Sequence, residues 1–173
     1  ADLDPTCRPA LQALADLQEA REKAGAAADA LERELKLVAD AHERGAIAGR
    51  LARLYEALED ARAAIRAYDI VRKSDPDDFE ALGKLCKLCE KMEQWDRVAE
   101  LLAEQIEIEG DEDEAAEMTV KLSQILADKL DRGDEALATL TELADQGNSK
   151  VRGVYVELGD RLGWKGLVAS KLV

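Results

Sequence analysis

Aromatic residues are scarce in this 173-residue chain, at 3% of the total. Sandwiches and barrels draw on aromatic and β-branched residues for their strands, so the scarcity points away from them. Three cysteines are an odd number and too few to staple a domain of this size. Their use fits a reducing compartment, and the cytoplasm is the expected location. No apolar run approaches the roughly 20 residues that cross a bilayer, so no membrane insertion is expected. The opening ADLDPTCRPA lacks both an initiator Met and an apolar signal core, as a fragment or a processed product would. His42 is the only histidine, and no Ser/His/Asp or Cys/His set can be assembled around it. It reads as a solvated loop residue between hairpins. Phosphate-cradling glycines after a strand are also missing, since Gly159 and Gly163 fall in a helical stretch. No catalytic constellation emerges, so the chain is not expected to be an enzyme or to carry a cofactor.

Charge and helix-forming residues are abundant. Charged side chains make up 36% of the chain, and its formal net charge is −14. That balance opposes general nucleic-acid binding, because phosphates would be repelled. Hydrophobic residues reach 47%, much of it Ala and Leu, which favour helix. An all-α protein is expected. The Ala/Arg/Asp/Glu-heavy composition also suggests a bacterial source.

In chain order, Asp4-Pro5 reads as a helix start. Leu11, Leu14, Ala15 and Leu17 then form one apolar stripe, and Gly25 marks a turn. Ala27, Leu31, Leu35 and Val38 form the next stripe. Gly45 to Arg50 introduce a second hairpin over Leu51–Pro76, turned at Glu59-Asp60 and ended by Ser74, Asp75 and Pro76. Asp77 and Glu80 give a capping-box spacing for the third hairpin. That hairpin carries Leu82, Leu85, Cys86 and Cys89, a turn at Glu93-Gln94, and then Trp95, Val98, Leu102 and Ile106. Glu109 to Glu114 read as a solvated acidic connector without the spacing of a calcium loop. The fourth hairpin sets Met118, Leu122, Ser123 and Leu126 against Ala136, Leu140 and Leu143, turning at Arg132-Gly133-Asp134. Val151, Val154, Tyr155, Leu158 and Leu162 form a last helix, whose partner begins near Trp164.

The pattern repeats. One constant offset carries Leu11 to Leu82, Leu31 to Leu102 and Leu51 to Leu122. A single inserted residue then carries Ala64 to Ala136 and Tyr68 to Leu140. The recurring unit is therefore a pair of hairpins, each of ~34 residues. Hairpins of this length bury one side only, so they stack on neighbours.

The best-formed hairpin has small residues at Ala52 and Ala64, aromatics at Tyr55 and Tyr68, and a closing Pro76. These residues and spacings resemble a tetratricopeptide repeat. The resemblance implies a right-handed α-solenoid of about four to five antiparallel hairpins in a single domain over 1–173. The expected hairpins are 5–41, 45–76, 78–109, 114–147 and 149–173. It also implies a protein-interaction scaffold with a concave groove.

Several motifs have plain structural readings. Cys86 and Cys89 form a CxxC, but no second pair exists to complete four zinc ligands, and the pair falls on a packing face. No metal site is expected there. Trp95 and Trp164 read as lids at the starts of second helices. One pattern is a candidate binding surface. The faces of the first helices opposite the core carry Arg50 and Arg53, then Lys84, Lys87 and Lys91, then Lys121. Lys84, Lys87 and Lys91, spaced by three and four, share one face. Such a strip suits an acidic peptide or a C-terminal carboxylate, while Glu80, Glu90 and Glu117 would balance it if the face is merely solvated. Some tetratricopeptide domains clamp C-terminal peptides with Asn side chains as well. The single Asn148 falls in a turn, so only the electrostatic part of that resemblance carries over. The expected partner is a protein or peptide, with the oligomeric state open. In an alternative reading the chain is a structural segment of a longer repeat protein that self-assembles, because the final GLVASKLV is apolar and stops mid-pattern.

Overall fold

A computed structural model describes residues 7–145 and 148–163. Among these residues there are nine helices and no strand. They are α1 (Arg8–Ala20), α2 (Ala24–Leu37), α3 (Ala41–Ala57), α4 (Ala61–Ser74), α5 (Phe79–Lys91), α6 (Trp95–Ile108), α7 (Glu112–Asp128), α8 (Gly133–Asp145) and α9 (Ser149–Arg161). No helix among the described residues is long and apolar enough to cross a membrane. The chain divides into two compact units after Met92, the first holding α1 to α5 and the second α6 to α9. In the first unit α1 packs on α2, α2 on α3, α3 on α4 and α4 on α5. In the second, α7 touches α6, α8 and α9, and α8 packs on α9.

The repeat offset is visible in the helix boundaries. Arg8 and Phe79, Ala24 and Trp95, and Ala41 and Glu112 open equivalent helices, and the spacing is the same in each pair. The ends of those helices keep it too. Gly133 opens α8 one position later than Ala61 of α4 would place it, which is the inserted residue. Equivalent core positions are buried in both copies, as with Leu31 and Leu102 or Leu51 and Leu122. Leu14 and Leu17 depart from this pattern. Both are exposed on α1, Leu14 at 37%, whereas its equivalent Leu85 is at 0%. The reason is local: α4 covers α5, and no described helix stands before α1.

Four of the connections between the described helices turn through one left-handed residue that is not glycine. These are Glu22, Glu59, Glu93 and Asp131, with φ between 54° and 57°. Such a conformation crowds Cβ against the backbone and costs about 1 kcal/mol or more. An acidic residue takes it at all four turns. Helix starts are secured by Asp40, Asp60, Asp78, Asp111 and Asn148, each accepting a backbone N–H from its own first turn. A cap of this kind contributes about 1 kcal/mol.

Several sequence expectations shift at these boundaries. Gly25 lies inside α2, and the turn falls at Arg21–Lys23, where Glu22 adopts the left-handed conformation. His42 is exposed in the first turn of α3 rather than in a loop, because the Asp40 cap starts that helix at Ala41. For the same reason Gly45 to Arg50 belong to α3 itself. The cap of α5 is Asp78, whose Oδ1 accepts from the Ala81 N–H at 2.9 Å, and not Asp77 with Glu80. Asp77 instead donates its N–H to Asp75 Oδ1 in the turn after Pro76. Only half of the acidic connector is loop: Glu112, Asp113 and Glu114 form the first turn of α7, where the helix dipole favours acids. Gly133 and Asp134 open α8, so the turn before it lies at 129–132. Asp4-Pro5, Trp164 and the final GLVASKLV lie outside the described residues.

Two helices approach closely at Gly45. An added Cβ there would stand 2.1 Å from Ser74 Oγ and 2.6 Å from Ser74 Cβ. Glycine is required because α3 and α4 meet backbone against side chain. Glu34 is a buried carboxylate in α2, 1% exposed, and it accepts from Arg8 Nε at 3.3 Å. Arg8 also pairs with Glu43 at 2.8 Å and so ties α1 to α2 and α3. Glutamine stands at the equivalent position of the second copy, as buried Gln105.

Candidate interaction surface

The predicted basic strip starts on α3. Arg50 is half-buried and directs its charge at α1, with Nη2 at 2.7 Å from Asp16 Oδ1 and 2.9 Å from Glu19 Oε1. Burial disfavours its charge, but the bonds to Asp16 and Glu19 outweigh that and raise its pKa. Arg53, one turn on, is exposed. Both arginines line a cavity of about 480 Å³ with Glu19, Glu22, Leu54 and Ala57.

On α5, Lys84 is held between two acids, Glu80 at 3.4 Å and Glu56 of α3 at 3.8 Å. Lys87 and Lys91 are exposed on the same helix. Among the described residues no carboxylate stands at salt-bridge distance from Arg53, Lys87 or Lys91. The first unit thus carries five of the six predicted residues, two engaged by acids and three open to solvent. Lys121 is exposed on α7 in the second unit, at the register that Arg50 holds in the first.

Of the acids expected to balance the strip, Glu80 does so. Glu117 pairs with Lys150 of α9 at 2.8 Å, and Glu90 accepts from Cys86 Sγ at 3.6 Å. Asp16, Glu19 and Glu56 were missed as partners. A sequence signal existed for Asp16: it precedes Arg50 by 34 residues, one repeat length, and residues one repeat apart stand side by side on neighbouring first helices. Lys150 and Glu117 show the same relation at 33 residues.

The positions that define the best-formed hairpin serve the fold instead. Ala52 and Ala64 are fully buried, and Tyr68 is buried. The Tyr55 hydroxyl donates to Glu32 at 2.6 Å, linking α3 to α2. Burial, with Glu32 beside Tyr55 and Glu56 beside Tyr68, pushes both hydroxyls well above the usual tyrosine range. Cys86 and Cys89 are buried in α5 as packing residues. Among the described residues no group of three or more His, Cys, Asp or Glu side chains could hold a metal ion. Trp95 is half-buried at the start of α6, with the Lys129 ammonium 4.9 Å from its ring centre.

No family model matches the sequence, and no curated protein matches it. Solved structures do match it. MamA protein is 14% identical, with 95% of this chain and 87% of that one covered and a TM-score of 0.54. The TPR-like repeats of a Podosopora anserina kinesin light chain are 16% identical, over 98% of this chain and 93% of that one, with a TM-score of 0.53. YrrB, a TPR protein with an unusual peptide-binding site, is 14% identical over 91% and 78%, also at 0.53. Likeness at such identities concerns architecture, and the chain has the all-α helical-repeat fold of tetratricopeptide solenoids.

Proposed function

We propose that the chain is a protein-interaction scaffold and that the first-helix face of its first unit receives an acidic peptide. One observation carries this: Arg53, Lys87 and Lys91 are exposed on first helices with no carboxylate at salt-bridge distance among the described residues. Cations left unmatched in a chain of net charge −14 mark a local reversal of field, which steers an acidic ligand to that face. Arg50 and Lys84, fixed by Asp16, Glu19, Glu56 and Glu80, act as a rigid frame. Leu54 and Ala57 add apolar lining for a small side chain beside the acidic ones. Helices already packed need little reordering, so little binding energy is lost to ordering the surface. YrrB, of the same fold, has a peptide-binding site, which supports the reading. In the second unit Lys121 stands at the equivalent register of α7.

Fluorescence anisotropy with a labelled Glu-rich peptide tests the proposal. Binding is expected to weaken steeply with salt, as solvent-exposed charge pairing does. Arg53→Glu with Lys87→Glu and Lys91→Glu is expected to lower affinity roughly tenfold or more, with unchanged helicity. Undiminished affinity in that variant would remove this face from consideration.

A further inference from the structure

The two units share a plan but not a surface charge. On the second helices of the first unit, Lys36 of α2 and Arg62 and Lys73 of α4 are exposed. Their equivalents in the second unit are Glu107, at the repeat offset, and Asp134 and Asp145, beyond the inserted residue, all exposed on α6 and α8. Every one of these three positions reverses sign. The groove between the second helices is present in both units. In the first it encloses about 280 Å³ over Leu35, Tyr55 and Ile70, with Lys36, Arg44 and Arg66 on its rim beside Glu32, which accepts from the Tyr55 hydroxyl. In the second it encloses about 320 Å³ over Ala99, Ala103 and Leu126, with Asp96, Glu100 and the paired Arg132 and Glu135 on its rim. Folding does not select these charges, since the same helix positions are built with either sign.

We propose that the chain binds a second copy of itself, with the α2/α4 face of one molecule against the α6/α8 face of another. Charge complementarity chooses this pairing. Two α2/α4 faces, or two α6/α8 faces, would oppose like charges, so symmetric pairing of identical faces is disfavoured. The contact is therefore heterologous: each molecule offers one basic and one acidic face, which generates rings or open chains of molecules. A net charge of −14 opposes non-specific association, so a local match of opposite charges is what favours contact. The apolar groove floors supply surface that leaves water on contact.

Sedimentation velocity of the 173-residue chain tests this. Concentration-dependent association is expected in low salt and its loss in high salt. Lys36→Glu with Arg62→Asp and Lys73→Asp installs the residues of the second unit, and self-association is expected to fall roughly tenfold or more. Glu107→Lys with Asp134→Arg and Asp145→Lys should do the same, and an equimolar mixture of the two variants should associate again. Lys23→Glu with Lys87→Glu and Lys91→Glu changes the net charge as much as the first variant but leaves both faces intact, so it should still associate. Circular dichroism checks that each variant is helical. A wild-type chain that stays monomeric in low salt overturns the proposal. So does a control variant that loses association, or a mixture that fails to recover it.

Discussion

Gly45 and Gly49 lie one turn apart on α3, and the structure assigns opposite signs to replacing them with alanine. Helix propensity favours Ala over Gly by about 1 kcal/mol at either site. At Gly49 a new Cβ would meet Val71 Cγ2 at 3.9 Å, an ordinary contact, so the gain is kept. At Gly45 it would meet Ser74 Oγ at 2.1 Å and Ser74 Cβ at 2.6 Å. Rotation about χ1 removes the hydroxyl, but the Ser74 Cβ cannot move without its backbone. Carbon atoms pack at about 3.5–4.0 Å, so α3 and α4 would have to part by about 1 Å. Overpacking of this kind costs about 1–3 kcal/mol, which outweighs the propensity gain. The expected net loss is about 0–2 kcal/mol, or up to several degrees in the midpoint of a chain this long. Thermal melts followed by far-ultraviolet circular dichroism read both variants. Ser74→Gly, placed on the Gly45→Ala background, should recover part of the loss. A Gly45→Ala chain that melts higher than the parent, as Gly49→Ala should, refutes the close approach of α3 to α4.

Two further outcomes follow from the turns and the ion pairs. Glu59→Gly removes left-handed strain at φ 57° and is expected to stabilise by about 1 kcal/mol, less the backbone entropy of glycine; an unmoved urea midpoint counts against the strain. Lys150 beside Glu117, and Arg132 beside Glu135, hold both carboxyls below the ordinary glutamate value of 4.5. Their stabilisation is complete above that value and lost as pH falls through the lowered ones, so the pairs contribute a small acid-labile part of the stability, which Glu117→Gln should remove. Both pairs are exposed, and high salt should erase the difference between parent and variant.

Much of the architecture was legible because it is written in a period. Leu31, Leu51 and Ala64 recur in Leu102, Leu122 and Ala136, and apolar residues at helical spacing leave few other ways to bury a face. The helix boundaries obey the same offset to the residue. Helix starts were less legible, because several acids compete for each cap. The spacing pointed to Asp77, and the path of the chain after Pro76 makes Asp78 the cap instead. Gly25 has the chemistry of a turn, yet the turn is at Glu22, since the backbone needs its left-handed residue earlier. Leu14 and Leu17 have the spacing of core residues, but burial depends on a neighbouring helix and not on the residue itself.

The candidate surface divides along the same line. Spacing places Lys84, Lys87 and Lys91 on one helix face without further information. It does not reveal which charges are already matched, because partners such as Asp16 and Glu56 lie on other helices. By itself, then, the sequence determined the helices and the offset at which they recur, both of which follow from local periodicity. Only the tertiary structure decided that Arg50 and Lys84 are occupied while Arg53, Lys87 and Lys91 remain open, and that Gly45 must be glycine. Those facts depend on distances between helices, which are set by packing and have no local signature in the chain.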